Sequence, residues 1–199
     1  MNNTQIPKIN YQKKLDDIID QISVRDNSPS LLLHSCCGPC SSYVVTYLKD
    51  YFNITVFYYN PNIYPEEEYI HRLSEQKRLL KELGVDLLEG RYDHQEFLDC
   101  VRGLESEPEG GKRCEKCFWL RLSETARMAQ EKGFDYFCTT LTVSPHKNAM
   151  IINQTGQSIS GKALWLPADF KKKDGYKKSV QISEEYGLYR QNYCGCEFT

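Results

Sequence analysis

"LLLHSCCGPCSSYVV", residues 31–45, runs from an unbroken apolar segment directly into Cys36-Cys37-Gly38-Pro39-Cys40. Consecutive leucines without polar alternation are the pattern of a strand buried on both faces, as in a parallel sheet. The spacing predicts that strand over residues 30–35. Gly38 and Pro39 break it, and residues 41–49 read as the start of a helix. In open α/β sheets ligands bind beyond the carboxyl ends of strands. Three sulfurs therefore lie where such a fold places its chemistry.

The flanking sequence supports this reading. Residues 11–25 carry Leu15, Ile18, Ile19 and Ile22 at helical spacing. "NITVFYYNPN" (53–62) reads as a second strand closed by turn residues. Residues 65–84 are a helix with Pro65 at its start, acids behind it and Gly84 at its end. Residues 85–90 form a short strand, 93–104 a helix and 105–113 a polar loop. A helix over 114–133 begins with cysteines. Residues 134–144 and 163–170 read as strand or extended chain, and 148–160 and 177–190 as helices. Strands alternating with helices predict an α/β domain with a mainly parallel sheet. We expect one domain over 1–199, with residues 1–28 as a helical N-terminal extension and 188–199 as a tail.

The chain has 199 residues, of which 40% are hydrophobic and 26% charged, with a formal net charge of −2. That balance carries no global nucleic-acid signature, although a local basic patch is compatible with it. The N-terminal residues lack the apolar core of a signal peptide, and no stretch approaches a membrane span. The expected location is the cytoplasm. Nine cysteines in a reducing compartment point to metal ligands or catalytic thiols rather than to a disulfide scaffold.

The cysteines fall into groups. Cys36, Cys37 and Cys40 sit at a strand-to-helix turn, where helix N–H groups favour thiolates. Cys114 and Cys117 form a C-x-x-C pair at a helix start, which alone suits half a zinc site, a redox dithiol or a cluster clamp. Together with Cys36 and Cys37 they supply the four thiolates usual for a [4Fe–4S] cluster. Zinc is the alternative, but vicinal cysteines serve one tetrahedral ion awkwardly. Cys194 and Cys196 flank Gly195 in the tail. A C-x-C disulfide closes a tight ring and is readily reduced, which suits a redox pair; extra metal ligands are the other reading. Cys100 and Cys138 read as core residues, and His34 as a packed or ligand-supporting histidine. Without a metal, the same thiols would suit a disulfide oxidoreductase; with zinc and no activity, a module that docks RNA or protein.

Five segments carry a resemblance: "HSCCGPCS" (34–41), "FYYNPNIYPEEEYIHR" (57–72), "EPEGGKRCEKCFWLRL" (107–122), "TTLTVSPHKN" (139–148) and "LYRQNYCGCEFT" (188–199). In order and spacing the chain resembles the QueH-type epoxyqueuosine reductases over residues 29–199. The resemblance implies a Rossmann-like, nucleotide alpha-hydrolase-like sheet with flanking helices and a cysteine-rich metal site. It implies a tRNA substrate bearing epoxyqueuosine at the wobble position. The epoxide oxygen would leave as water in a two-electron reduction, without cobalamin. Cys36, Cys37, Cys114 and Cys117 would hold the [4Fe–4S] cluster, and Cys194/Cys196 would be a redox-active disulfide, fed by an electron donor the sequence does not identify. In the family a second metal lies beside the cluster, with an oxygen ligand in some members; Cys40 stands at that position here, as the candidate thiolate for an additional iron. His146 and Asp93 are candidate proton donors. Tyr58, Tyr59, Tyr64, Phe118, Trp119, Tyr189 and Tyr193 are candidates for base stacking, and Arg113, Arg121, Lys147, Arg190 and Lys171–Lys173 for phosphate contact.

Overall fold

A computed structural model describes residues 9–24 and 27–199. Its elements are α1 (Tyr11–Ser23), β1 (Ser30–His34), α2 (Gly38–Leu48), β2 (Asn53–Tyr58), α3 (Glu66–Leu83), β3 (Asp86–Glu89), α4 (His94–Val101), α5 (Lys112–Lys132), β4 (Tyr136–Thr139), α6 (Ala149–Ser158), β5 (Leu164–Trp165) and α7 (Gly175–Glu185), with a 3₁₀ turn at Thr140–Val143. The strands form one five-stranded sheet in the order β3-β2-β1-β4-β5, and every pairing is parallel. This is a doubly wound α/β sheet. Its chain order reverses between β1 and β4, the switch point at which such sheets bind ligands.

β1 lies at the centre because its sequence tolerates burial on both sides. Leu31 and Leu33 pack into one core with Leu15, Ile19 and Ile22 of α1, Val44, Val45 and Leu48 of α2, and Leu80 of α3. Leu32 faces the opposite core, with Phe118, Leu122, Ala126 and Ala129 of α5, Phe137 of β4 and Ile152 of α6. Each of these leucines is fully buried, which stabilises the fold by about 2 kcal/mol apiece. The described part of the N-terminal extension is thus part of the main core. Helix α1 is capped by Asn10, whose side chain accepts the Lys13 N–H at 3.1 Å.

Several boundaries differ from expectation, three of them at the cysteines, the tail and the sheet edge. Helix α2 begins at Gly38, not 41, with Pro39 in its first turn; the first turn has no use for the missing N–H. The Gly-Pro pair that ends the strand therefore opens the helix, and Cys37 becomes its N-cap. Helix α7 stops at Glu185, leaving residues 186–190 to the tail. Only Leu164 and Trp165 of the 163–170 segment pair as strand.

Helix α6 meets the sheet through a glycine. A Cβ on Gly156 would lie 2.2 Å from the Trp165 indole, so the helix approaches only because that atom is missing. Alanine would gain about 1 kcal/mol of helix propensity, whereas overpacking costs about 1–3 kcal/mol. Gly156→Ala should therefore lower stability in chemical denaturation despite the better helix former. Gly156→Ala/Trp165→Leu should recover part of the loss; a stabilised single variant would contradict the packing.

Candidate functional site

The cysteine groups converge at the carboxyl ends of the central strands. β1 ends at His34, and the next residues carry Cys36 and Cys37, whose sulfurs lie 3.9 Å apart. Cys40 sits in the first turn of α2. Cys37 is buried, while Cys36 and Cys40 are partly exposed. The neighbouring Cys36 thiol, with Cys40 behind it, holds the Cys37 thiol well below its usual range; the bond to Cys37 pushes Cys36 up, and Cys36 and then Cys37 push Cys40 up.

Cys114 and Cys117 lie on the opening turns of α5. The Gly110 N–H donates to the Cys114 sulfur at 3.2 Å. Burial pushes the Cys117 thiol up to about 12, opposed by the nearby Arg121 charge. The C-x-x-C pair lines a small cavity of about 50 Å³ with Phe97, Arg113, Cys194 and Cys196. Cys36, Cys37 and Cys40 line an adjoining open cleft of about 380 Å³ with Arg72, Tyr176, Arg190 and Tyr193. Glu109, Arg121, His146, Lys147 and Cys194 line both. Two thiol pairs and the tail thiols therefore meet across a shared wall.

That wall is cationic. Arg72 and Arg121 are fully buried, and Nη2 of each has no hydrogen-bond partner among the described residues. The Lys147 ammonium is held above its usual range chiefly by the facing sulfurs of Cys194 and Cys36, against a desolvation penalty. Arg72 has the Glu68 carboxylate, whereas Arg121 has no carboxylate partner among the described residues and calls for an anion. Four thiolates carrying an iron–sulfur cluster would be one, so the donor set fits that group. No three His, Cys, Asp or Glu side chains among the described residues are arranged to hold a single metal ion.

His34 supports the turn without titrating near neutrality. Burial lowers its pKa to about 4. Its Nε2 donates to the Tyr59 carbonyl at 3.1 Å, which leaves Nδ1 to accept from the Thr139 hydroxyl at 2.8 Å. Asn60 donates to the Ser35 carbonyl at 2.8 Å. Together these bonds fix the ends of β1, β2 and β4 around the cysteines.

The tail is docked, not a loose chain end. Tyr64 N–H donates to Gly195 O at 2.8 Å, Arg72 to Cys194 O at 3.1 Å and Arg113 to Phe198 O at 3.1 Å. His94 meets the Glu197 carboxylate at 2.7 Å. Gly195 adopts φ +94°, and a Cβ there would lie 2.9 Å from Arg72, so the C-x-C hinge requires glycine. All nine cysteines are free thiols in this state.

Other candidates fare unequally. His146 is exposed and lines both cavities. Asp93 lines neither; it caps α4, accepting the Glu96 N–H at 3.3 Å. Its spacing from Glu96 is that of a capping box, a signal present in the sequence. Arg113 and Arg121 are buried and so unavailable to phosphates, as Tyr58, Tyr59 and Phe118 are to bases. Lys171 and Lys173 pair with Asp169 and Asp16. Tyr193 and Tyr176 stay exposed on the cleft, and Tyr176 carried no signal beyond being aromatic. Cys138 is core, donating to Leu166 O at 3.2 Å; Cys100 is partly buried against α5. No helix among the described residues is long and apolar enough to cross a membrane.

A family profile described as "Epoxyqueuosine reductase QueH" matches residues 31–199. A protein of that name from Streptococcus pyogenes serotype M1 is 44% identical, over 96% of this chain and 78% of its own length. One from Staphylococcus epidermidis is 41% identical over 96% and 84%, and one from Thermotoga maritima 34% identical over 85% and 90%. Among solved structures, the U34-tRNA thiolase NcsA from Methanococcus maripaludis with its [4Fe-4S] cluster superposes with a TM-score of 0.56. It is 14% identical, over 100% of this chain and 75% of its own. An NH3-dependent NAD synthetase from Campylobacter jejuni reaches 0.50 at 15% identity, over 92% and 76%. Both show the nucleotide alpha-hydrolase-like fold and no more.

Arg72 ties the tail to α3: it bonds Glu68 at 2.6 Å, donates to Cys194 O and lies over the Tyr193 ring at 5.1 Å. A charged hydrogen bond contributes about 2 kcal/mol, roughly 30-fold in local opening. Arg72→Met should therefore raise the iodoacetamide alkylation rate of Cys194 and Cys196 by about tenfold or more, read by peptide mass spectrometry. Unchanged rates would show that the tail is held elsewhere.

Proposed function

The chain belongs to the epoxyqueuosine reductase QueH family, and we propose that it converts epoxyqueuosine in tRNA to queuosine. It is an oxidoreductase of queuosine biosynthesis. The overall change is the epoxide plus two electrons and two protons giving the alkene and water. The observation that carries the reading is the convergence of Cys36/Cys37, Cys114/Cys117 and Cys194/Cys196 on adjoining cavities, around the buried Arg121, which has no carboxylate partner among the described residues.

Cys36, Cys37, Cys114 and Cys117 would hold a [4Fe–4S] cluster, with Cys40 the thiolate for an additional iron. When bound, that group supplies one-electron transfer and Lewis acidity toward the epoxide oxygen, and cobalamin is not required. The chain's own groups do the rest. Cys194 and Cys196 give up two electrons and two protons as their sulfurs join, and an external electron donor restores the dithiol. His146 is the candidate that hands a proton to the departing oxygen, since it faces both cavities and Asp93 faces neither. Tyr176, Tyr193 and Arg190 offer aromatic faces and a cation to an unstacked anticodon base and its phosphate. The cleft's cations exclude competing positive charge and draw in RNA. The setting is the cytoplasm, where tRNA and reducing thiols coexist.

Two outcomes test this. After anaerobic reconstitution, Cys114→Ser should lose most of its iron and acid-labile sulfide; full retention would remove it from the ligand set. Cys194→Ser and Cys196→Ser should keep wild-type iron and tRNA affinity yet stop after one turnover or fewer. Loss of iron in either would reassign the tail thiols as metal ligands.

A further inference from the structure

Of the three fully buried arginines among the described residues, Arg121 is the least satisfied. Its side chain is 1% exposed. The other two fully buried arginines are provided for: Arg72 has the Glu68 carboxylate, and Arg113 has the carbonyls of Glu105, Glu107 and Phe198. Among the described residues, Arg121's hydrogen-bond acceptors are the Cys117 carbonyl and the Asn60 side chain, both at 3.4 Å, the outer limit of a hydrogen bond, and its guanidinium lies over the Phe118 ring at 5.9 Å. Its Nη2 has no partner among the described residues. Asn60 gives its Nδ2 to the Ser35 carbonyl and offers Arg121 its Oδ1 alone. Glu109, the carboxylate on both cavities, is exposed and makes no salt bridge with Arg121.

A guanidinium stays charged and presents five donors, so this side chain has donors to spare inside a low-dielectric wall. What faces it is sulfur. Arg121 lines the cavity of Cys114 and Cys117, the cleft of Cys36 and Cys37, and meets Cys194 in both. It lies four residues beyond Cys117 and seven beyond Cys114, on their face of α5.

We propose that Arg121 is a positioning residue that counter-charges the thiolate-bound cluster and raises its reduction potential, rather than a substrate or phosphate contact. The inference rests on the cluster reading above. Each electron added to a thiolate cluster adds one negative charge. A fixed cation at the wall, donating N–H bonds toward its sulfurs, stabilises the reduced form more than the oxidised one. Burial strengthens the effect, because little solvent screens it.

The test is a redox titration of the anaerobically reconstituted full chain, followed by visible absorbance, with iron, sulfide and far-UV circular dichroism measured alongside. Arg121→Met should shift the midpoint potential negative by at least a tenfold change in the one-electron reduction equilibrium, about 59 mV. Arg121→Lys, which keeps the charge and loses the fork of donors, should fall between. An unchanged midpoint in a fully loaded variant overturns the proposal and leaves the cluster reading intact. If Arg121→Met loads no cluster, Arg121→Lys decides: a negative shift supports the proposal and an unshifted midpoint overturns it. If neither variant loads a cluster yet both keep the wild-type dichroism, counter-charging is supported at the level of assembly. If both unfold, Arg121 is structural and the proposal fails. If the wild type itself takes up no cluster, the underlying reading falls first.

Discussion

β1 is hydrogen-bonded on both edges and buried on both faces, and the chemistry hangs from its carboxyl end. Its register with β2 and β4 fixes His34 beside Tyr59 and Thr139. Those two bonds in turn hold the turn that carries Cys36 and Cys37. A shift of one residue in this strand would turn Leu32 toward the wrong core and carry both cysteines away from α5. Rigid placement of the first thiol pair is therefore a consequence of core packing, not of the site's own contacts.

The second thiol pair arrives from the opposite layer, on α5, which packs against β1 and β4. The site thus straddles the sheet at its switch point, with one pair from each side. The third pair is brought by the tail, which Arg72, Arg113, Tyr64 and His94 dock onto the same rim. The charges follow one logic. Net charge over the chain is close to zero, yet Arg72, Arg121 and Lys147 concentrate positive charge where the sulfurs meet. Under the proposed function, a site that stabilises thiolates and attracts a polyanion gains on both counts from that concentration.

Much of this was legible in the residues. The leucine run, the Gly-Pro break and the helix–strand alternation gave the sheet and its order of elements, because burial on two faces leaves an unmistakable apolar segment. Paired cysteines marked the site for the same reason: few structural roles need them adjacent. What escaped the sequence depends on tertiary neighbours. Pro39 reads as a breaker until the helix is seen to start on it. Arg113 and Arg121 read as surface cations, and only the packing of α5 shows that they are buried. Asp93 reads as an acid near the site, while its hydrogen bond to Glu96 makes it a cap. The tail reads as a loose end because its anchors lie far away in sequence, 122 residues in the case of Arg72 and Cys194.

The central claim is that one cleft couples oxidation of Cys194 and Cys196 to removal of the epoxide oxygen. A single-turnover reaction tests it most directly. Reconstituted, fully reduced protein is mixed with tRNA bearing epoxyqueuosine in the absence of external reductant, then alkylated and analysed by mass spectrometry. The account predicts one Cys194–Cys196 disulfide for each queuosine formed. Queuosine formation with both thiols still alkylatable would contradict it.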